Sequence, residues 1–150
     1  MLDEVALRSV LRTQLFTVSG LPNKKTRIAY ENRQFKTPEI KAGARKLPLW
    51  IKERLSIFDE TRSSQCFMES VGLIIWSVKT PEGRGTEQAD ALALKIAKVF
   101  QPGTHLVGDD ITVLCEHTER RPFRPDPVHE NWISKPVTVR WRVFTPLTSS

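Results

Sequence analysis

The chain has 150 residues, of which 39% are hydrophobic and 27% charged, with a formal net charge of +6 at pH 7. That length suits one domain around one hydrophobic core, and the apolar share excludes wholesale disorder. No apolar run approaches the length of a membrane-spanning helix, and the opening Met-Leu-Asp-Glu-Val-Ala carries acids where a secretory signal needs bases. A soluble, intracellularly made domain with no membrane association is expected.

The charge is local. Residues 20–46 hold eight bases (Lys24, Lys25, Arg27, Arg33, Lys36, Lys41, Arg45, Lys46) against Glu31 and Glu39. Residues 47–117 hold seven bases and ten acids, and residues 118–150 six bases and three acids. Such patches steer anionic partners or form subunit contacts.

In chain order, Leu7, Val10, Leu11 and Leu15 recur at helical spacing over residues 3–17, with Asp3 and Glu4 where the helix dipole favours anions. Ser19-Gly20 and Pro22 end that helix. A short strand is expected at 26–31, then a polar loop with Pro38 and Gly43. Leu49, Ile51, Leu55 and Ile57 predict a strand over 48–58, with Glu53 marking a strand end or an edge. Asp59-Glu60-Thr61-Arg62-Ser63-Ser64 reads as a polar turn. Cys66 to Val78 is apolar at successive positions, the pattern of a central strand covered on both sides, with Gly72 at a bulge or a close packing site.

Pro81-Glu82-Gly83-Arg84-Gly85 reads as a loop and Thr86 as the N-cap of a second helix. Ala89, Leu92, Ala93, Ile96 and Phe100 make its apolar stripe, and Pro102-Gly103 stops it. Gly108-Asp109-Asp110 is a tight-turn signal before a strand at 111–116. Residues 118–135, rich in Pro and Arg, read as a long loop. Val137, Val139, Trp141 and Val143 alternate with Thr138, Arg140 and Arg142, the clearest strand in the sequence. The expected architecture is a single α+β domain over residues 1–150, a mixed or antiparallel sheet flanked by two helices. Leu92, Ile96, Phe100, Val139 and Trp141 are its core markers. Trp50, Trp76 and Trp141, all at strand positions, read as core or interface anchors.

The search for chemistry is largely negative. Cys66 and Cys115 fall in strand-like segments outside any Cys-x-x-Cys pair and read as buried thiols. His105, Asp109, Asp110 and His117 match no metal-ligand signature and read as a solvated hairpin. Cys115 and His117, two apart on a strand, would share a face, but no third member completes a nucleophilic set. Gly83-Arg84-Gly85 lacks the Lys-Ser/Thr of a phosphate loop. The exposed bases are the stronger lead. Lys24, Lys25 and Arg27 in the early segment, and Arg120, Arg121 and Arg124 beside Phe123, are candidate contact residues. Nucleic-acid binding would use Lys, Arg and aromatics in this way, although no named nucleic-acid motif occurs.

Three stretches together resemble the tail-terminator family of long-tailed bacteriophages. They are Ile28-Ala29-Tyr30-Glu31-Asn32-Arg33-Gln34-Phe35 with Pro38 after the first helix, the helix Ala89 to Phe100 followed by Pro102-Gly103-Thr104 and Ile111-Thr112-Val113, and the closing strand Val137 to Val143. The resemblance implies a non-enzymatic virion protein of the tail and neck, assembled in the host cytoplasm and needing no cofactor. It implies a ring of six subunits that ends tail-tube growth. The implied partners are other copies of the chain, the tail-tube protein and the head-side connector or head-closure protein, with DNA passing through the lumen without sequence-specific binding. Another neck component, such as a head-closure or tail-completion protein, and a basic nucleic-acid-binding protein are the alternative readings.

Overall fold

The computed structural model describes residues 2–43, 45–62, 66–108 and 110–146. Two helices and seven strands make up the fold: α1 (Glu4–Leu15), β1 (Ile28–Ala29), β2 (Trp50–Arg62), β3 (Phe67–Pro81), α2 (Glu87–Val99), β4 (His105–Gly108), β5 (Ile111–Arg120), β6 (Arg124–Pro125) and β7 (Trp132–Pro146). The α+β architecture expected from the sequence is the one observed. α1 starts where the Asp3 side chain accepts hydrogen bonds from the backbone N–H groups of Val5 (3.0 Å) and Ala6 (3.1 Å). These are two of the donors that a first helical turn leaves unsatisfied.

The strands form one sheet in the order β1-β2-β3-β7-β5-β4, with the two-residue β6 beside β7. β1 runs parallel to β2 and all other pairings are antiparallel. Because side chains alternate along a strand, directly paired residues share a face. Trp76 opposes Val137, Ile74 opposes Val139, Gly72 and Cys115 both oppose Trp141, and Val113 opposes Val143. These residues are all buried and define the inner face. α2 packs on it across β3, β5 and β7, while α1 packs on β4 and β5. α1 also reaches β2, where Arg12 binds Glu53, so the sheet curls around the helices. Leu92, Ile96, Phe100, Val139 and Trp141 all lie in this core.

Gly72 sits where β2 bulges between Ile57 and Asp59. A Cβ there would lie 2.5 Å from the Trp141 indole and 2.1 Å from the carbonyl oxygen of Ser56, so only glycine fits.

Several expectations are corrected. β2 does not end near Phe58: Asp59 to Arg62 continue it, paired with Val71 to Met68. Of the expected polar turn, Ser63 and Ser64 lie outside the described residues. Glu53 does not mark a strand end, being mid-strand and buried, but it stands where the pairing with β1 stops and β2 becomes an edge. β3 is central, but Val71, Leu73 and Ile75 on its outer face are only half-buried. The expected loop at 118–135 shrinks, because β5 runs to Arg120, β6 pairs with β7, and β7 begins at Trp132. Thr86 precedes α2, but its side chain makes no cap hydrogen bond.

Candidate functional site

The basic segment 20–46 is almost without regular structure, and side chains rather than a ladder fasten it. Asn23 Oδ1 accepts from the N–H groups of Lys25 (2.9 Å) and Thr26 (3.3 Å), closing a turn that raises Lys24 and Lys25. The Tyr30 hydroxyl donates to the Lys24 carbonyl oxygen at 2.9 Å. The Ile51 N–H donates to the Arg27 carbonyl oxygen at 2.9 Å, docking β1 on β2. Two residues beyond β1, the Glu31 carboxylate accepts the backbone N–H of Leu55 and so blocks part of the β2 edge.

Beneath this segment lies a charge network. Glu53 accepts from Arg12 Nε at 2.6 Å and Nη2 at 2.5 Å, and Arg8 Nη1 stands 3.4 Å from Glu53 and 3.3 Å from Glu31. The hydrogen bond to Glu53 raises the Arg12 pKa against the opposing effect of burial. Burial, more than any neighbouring charge, raises that of Tyr30. The Arg12 and Arg33 guanidinium groups lie 4.6 and 5.2 Å from the Tyr30 ring centre.

Two hollows border the segment. One, of about 420 Å³, has Phe16, Ile28 and Tyr30 as its apolar lining and Arg12, Lys24, Lys25 and Arg33 as its charged one. Lys24 Nζ lies 4.6 Å from the Phe16 ring centre. The other, of about 600 Å³, runs between the segment and α2, with Leu21, Leu49 and Leu92 inside and Arg27, Lys41, Lys46 and Lys95 around it. Its wall is tied to α2 by Gln88, which accepts from the Leu47 N–H and donates to the Arg45 carbonyl oxygen, both at 3.3 Å. Among the described residues no carboxylate pairs with Lys24, Lys25, Arg27 or Arg33. A cationic rim over an apolar floor suits an acidic, partly apolar protein surface.

Arg120, Arg121 and Arg124 are exposed and line neither hollow. They stand at the end of β5 and on β6, where Arg121 lies 3.6 Å from Glu119. The two groups of bases therefore form separate surfaces. Arg12 comes from α1 and Phe16 from its C-cap, and the count over residues 20–46 gives no sign of them. Tyr30, Arg33 and Phe35 lie in the stretch that carries the family resemblance.

A further cluster lies on the outer face, where Trp50, Lys79 and Ser134 share a rung. Lys79 Nζ and Asp126 Oδ2 are 2.7 Å apart, with only 5% and 2% of the two side chains exposed. Asp126 Oδ1 also accepts from the N–H groups of Val128 and His129, both at 2.9 Å. Burial would raise the Asp126 pKa, but Lys79 and these two N–H groups hold it well below the usual carboxylate range. Burial lowers the Lys79 pKa, opposed by Asp126. Trp50 closes the cluster, stacked on Phe35 at 4.8 Å and meeting His129 and Trp132 edge-on.

The nucleophile and metal readings find no geometry here. A second bulge, between Cys115 and His117, sets Cys115 opposite Trp141 and His117 opposite Arg140. The pair thus falls on opposite faces, and the shared face expected from the spacing is lost. Burial pushes the Cys115 thiol up to about 11. Cys66 is exposed rather than buried. Among the described residues no three His, Cys, Asp or Glu side chains are placed to hold a metal ion. No helix among them is long and apolar enough to cross a membrane.

The family model of the phage tail terminator protein matches residues 4–141. The chain belongs to that family. This terminator is accordingly a structural component of the phage tail. No curated protein matches its sequence. A solved structure without a functional name superposes with a TM-score of 0.62 at 14% identity, covering 95% of this chain and 96% of its own. That likeness bears on the fold alone. In this terminator the Tyr30-Glu31-Asn32 stretch is a fastening device: the Tyr30 ring lies against two guanidinium groups, Glu31 caps the β2 edge, and Asn32 turns the chain at a φ of 60°. Phe35 then anchors the segment on Trp50.

Proposed function

We propose that this terminator closes the head-proximal end of the tail tube as a homo-oligomeric ring, six subunits by family resemblance. The ring ends tube growth and forms the joint to the head-side connector. The observation that carries this reading is the family match over nearly the whole chain, residues 4–141. The surface chemistry supports it. A closed ring needs two different, mutually complementary patches on each subunit. The basic hollows suit an acidic partner surface, while the exposed Arg120, Arg121 and Arg124 form a separate basic surface for a further acidic component rather than the complement of the hollows. DNA crosses the lumen without sequence-specific contacts, the role is non-enzymatic, and the subunits assemble in the host cytoplasm.

Light scattering and negative-stain microscopy of the purified protein test the ring, and tail length after gene deletion and complementation tests the capping. Closed rings and restored tail length are expected. A monomer at every concentration, together with normal tails in its absence, would overturn the reading. Steep salt-dependent DNA binding by such a monomer would favour the nucleic-acid alternative.

A further inference from the structure

β2 borders two surfaces of opposite character. Near its start Ile51 pairs with Ile28, which together with Phe16 and Tyr30 makes the apolar part of the smaller hollow. Lys24, Lys25 and Arg33 line the same hollow, and among the described residues no carboxylate pairs with them. Asp59 stands about 26 Å further along β2, from the ~3.3 Å rise per strand residue. Directly paired residues share a face, and alternate residues return to it. Asp59, Val71 and Arg142 form one row there, Thr61, Glu69 and Phe144 the next, and Phe67 with Pro146 the last. The three rows are therefore one continuous surface, on the outer face with Leu73 and Ile75. Among the described residues no helix covers it. Phe67 and Phe144 are 42% and 46% accessible, and Val71 is half-buried. Arg142 is held between Glu69 and Glu116, so these two carboxylates and Asp59 outnumber their one base. Arg140, the next arginine on this face, lies opposite Leu73, one row further in. The outer side of a sheet curled around its helices is convex. This end of the sheet is thus convex, aromatic and acidic, whereas the hollow is concave, apolar and basic.

We infer that the hollow between Phe16, Tyr30 and the Lys24–Lys25 turn receives the Phe67–Phe144 end of the outer sheet face of a second copy. The inference rests on the ring reading and deepens it by naming both sides of one subunit contact. A hollow of about 420 Å³ has room for an aromatic side chain, and Phe16 and Tyr30 offer it ring contacts. Asp59 and Glu69 then meet the cationic rim. The larger hollow has leucines in place of these rings, and Arg120, Arg121 and Arg124 line no hollow, so neither matches an exposed phenylalanine as well. The two surfaces are too far apart to meet within one copy, and they differ in chemistry. The contact is therefore head-to-tail, the type that can close a ring.

The test is a charge exchange, read as oligomer mass by light scattering at low and moderate salt. One variant carries Asp59→Lys, a second Lys24→Glu with Lys25→Glu, and a third all of these changes in one chain. A fourth, Phe144→Ala, removes the aromatic anchor without touching charge. The first, second and fourth are each expected to raise the concentration needed for assembly by at least about tenfold, the scale of a lost charge contact or anchor. The combined chain restores opposite charges across the contact and is expected to recover most of the assembly. The substituted residues are all exposed, and unchanged thermal midpoints show that the fold survives. Asp59→Asn and Lys25→Glu alone are the milder substitutes should a variant unfold. Assembly of Asp59→Lys or Phe144→Ala like the parent, or a combined chain no better than its parts, would overturn this contact while leaving the ring intact. A parent protein that never associates would overturn both readings.

Discussion

The two faces of the sheet are held together by different means. The inner face is one continuous apolar surface under two helices, with Ile74, Trp76, Val137, Val139, Trp141 and Val143 buried in cross-strand rows. Among the described residues no helix covers the outer face. A buried ion pair and a ring of aromatics close it at one end, and its Val71, Leu73 and Ile75 stay half-exposed. The inner face is stabilised chiefly by area removed from water, and the buried carboxylate it does hold, Glu53 opposite Trp76, is paired with Arg12 and Arg8, so it tolerates no unpaired charge. The outer cluster depends on two charges that must both be present, because either alone would be stranded in a desolvated site.

The largest expected effect is on the inner face. Val139 is fully buried in the strand next to Ile74. Val139→Asp places an uncompensated carboxylate there and is expected to destabilise by about 4–5 kcal/mol, the upper range for single changes. Chemical denaturation measures it. An unchanged midpoint would mean that β7 is not part of the core.

The outer cluster should break nearly as hard, and with a pH signature that the apolar Val139 site lacks. Asp126→Ala leaves the Lys79 ammonium buried without its partner and is expected to cost about 3–5 kcal/mol. Asp126 has its folded pKa depressed. Its contribution is therefore fully present above the unfolded carboxylate pKa of about 3.9, and is lost as pH falls from there towards the folded value. Stability of the parent protein measured between neutral pH and about pH 3 should show this loss, and the Asp126→Ala protein should lack that component. Equal acid sensitivity in both would show that the pair is not linked to folding.

Gly72 connects the two faces through the backbone. Gly72→Ala drives a methyl group into the Trp141 indole on one side and the Ser56 carbonyl on the other. The β2 bulge would have to shift, at an expected cost of about 1–3 kcal/mol, as for overpacked cores. Loss of the near-ultraviolet signal of the buried tryptophans would accompany it. A variant as stable as its parent would mean that the bulge adapts freely.

This contrast also explains which features the sequence discloses. The alternation from Val137 to Val143 and the helical stripes of Leu7 to Leu15 and Ala89 to Phe100 are legible because one burying face imposes a period. Asp59-Glu60-Thr61-Arg62 looks like a turn because Asp59, Glu60 and Thr61 are exposed along β2, and a strand largely in water needs no apolar row. The outer cluster leaves no local trace, since Phe35, Trp50, Lys79 and the Asp126–His129 loop come from four separate stretches. The Cys115–His117 bulge is likewise invisible, because one extra residue reverses a face without changing composition. Of the candidate contact surface, the charge of Lys24, Lys25 and Arg27 is legible. The apolar floor supplied by Phe16 is not, because it depends on where α1 ends against the segment.

The smallest effect sharpens the comparison at the helix ends. α1 and α2 both begin after a residue of capping type, Asp3 and Thr86, although the sequence pattern predicted a cap only at Thr86. Asp3 has the extended backbone that a cap requires, with φ −85° and ψ 101°, and its carboxylate takes two N–H groups. Thr86 has φ −118° and ψ −2°, and its hydroxyl takes none. Thr86, Glu87 and Gln88 at the start of α2 are all exposed residues, where water can satisfy the first N–H groups. Asp3→Ala is therefore expected to cost about 0.5–2 kcal/mol, the range for a lost cap. Thr86→Ala should stay within about 0.5 kcal/mol, as for a surface change that touches no special feature. Thermal or urea unfolding of the two single variants measures both in one experiment. A Thr86→Ala loss equal to or larger than that of Asp3→Ala would mean that the hydroxyl caps α2 in solution after all, and that the helix begins with a different backbone turn.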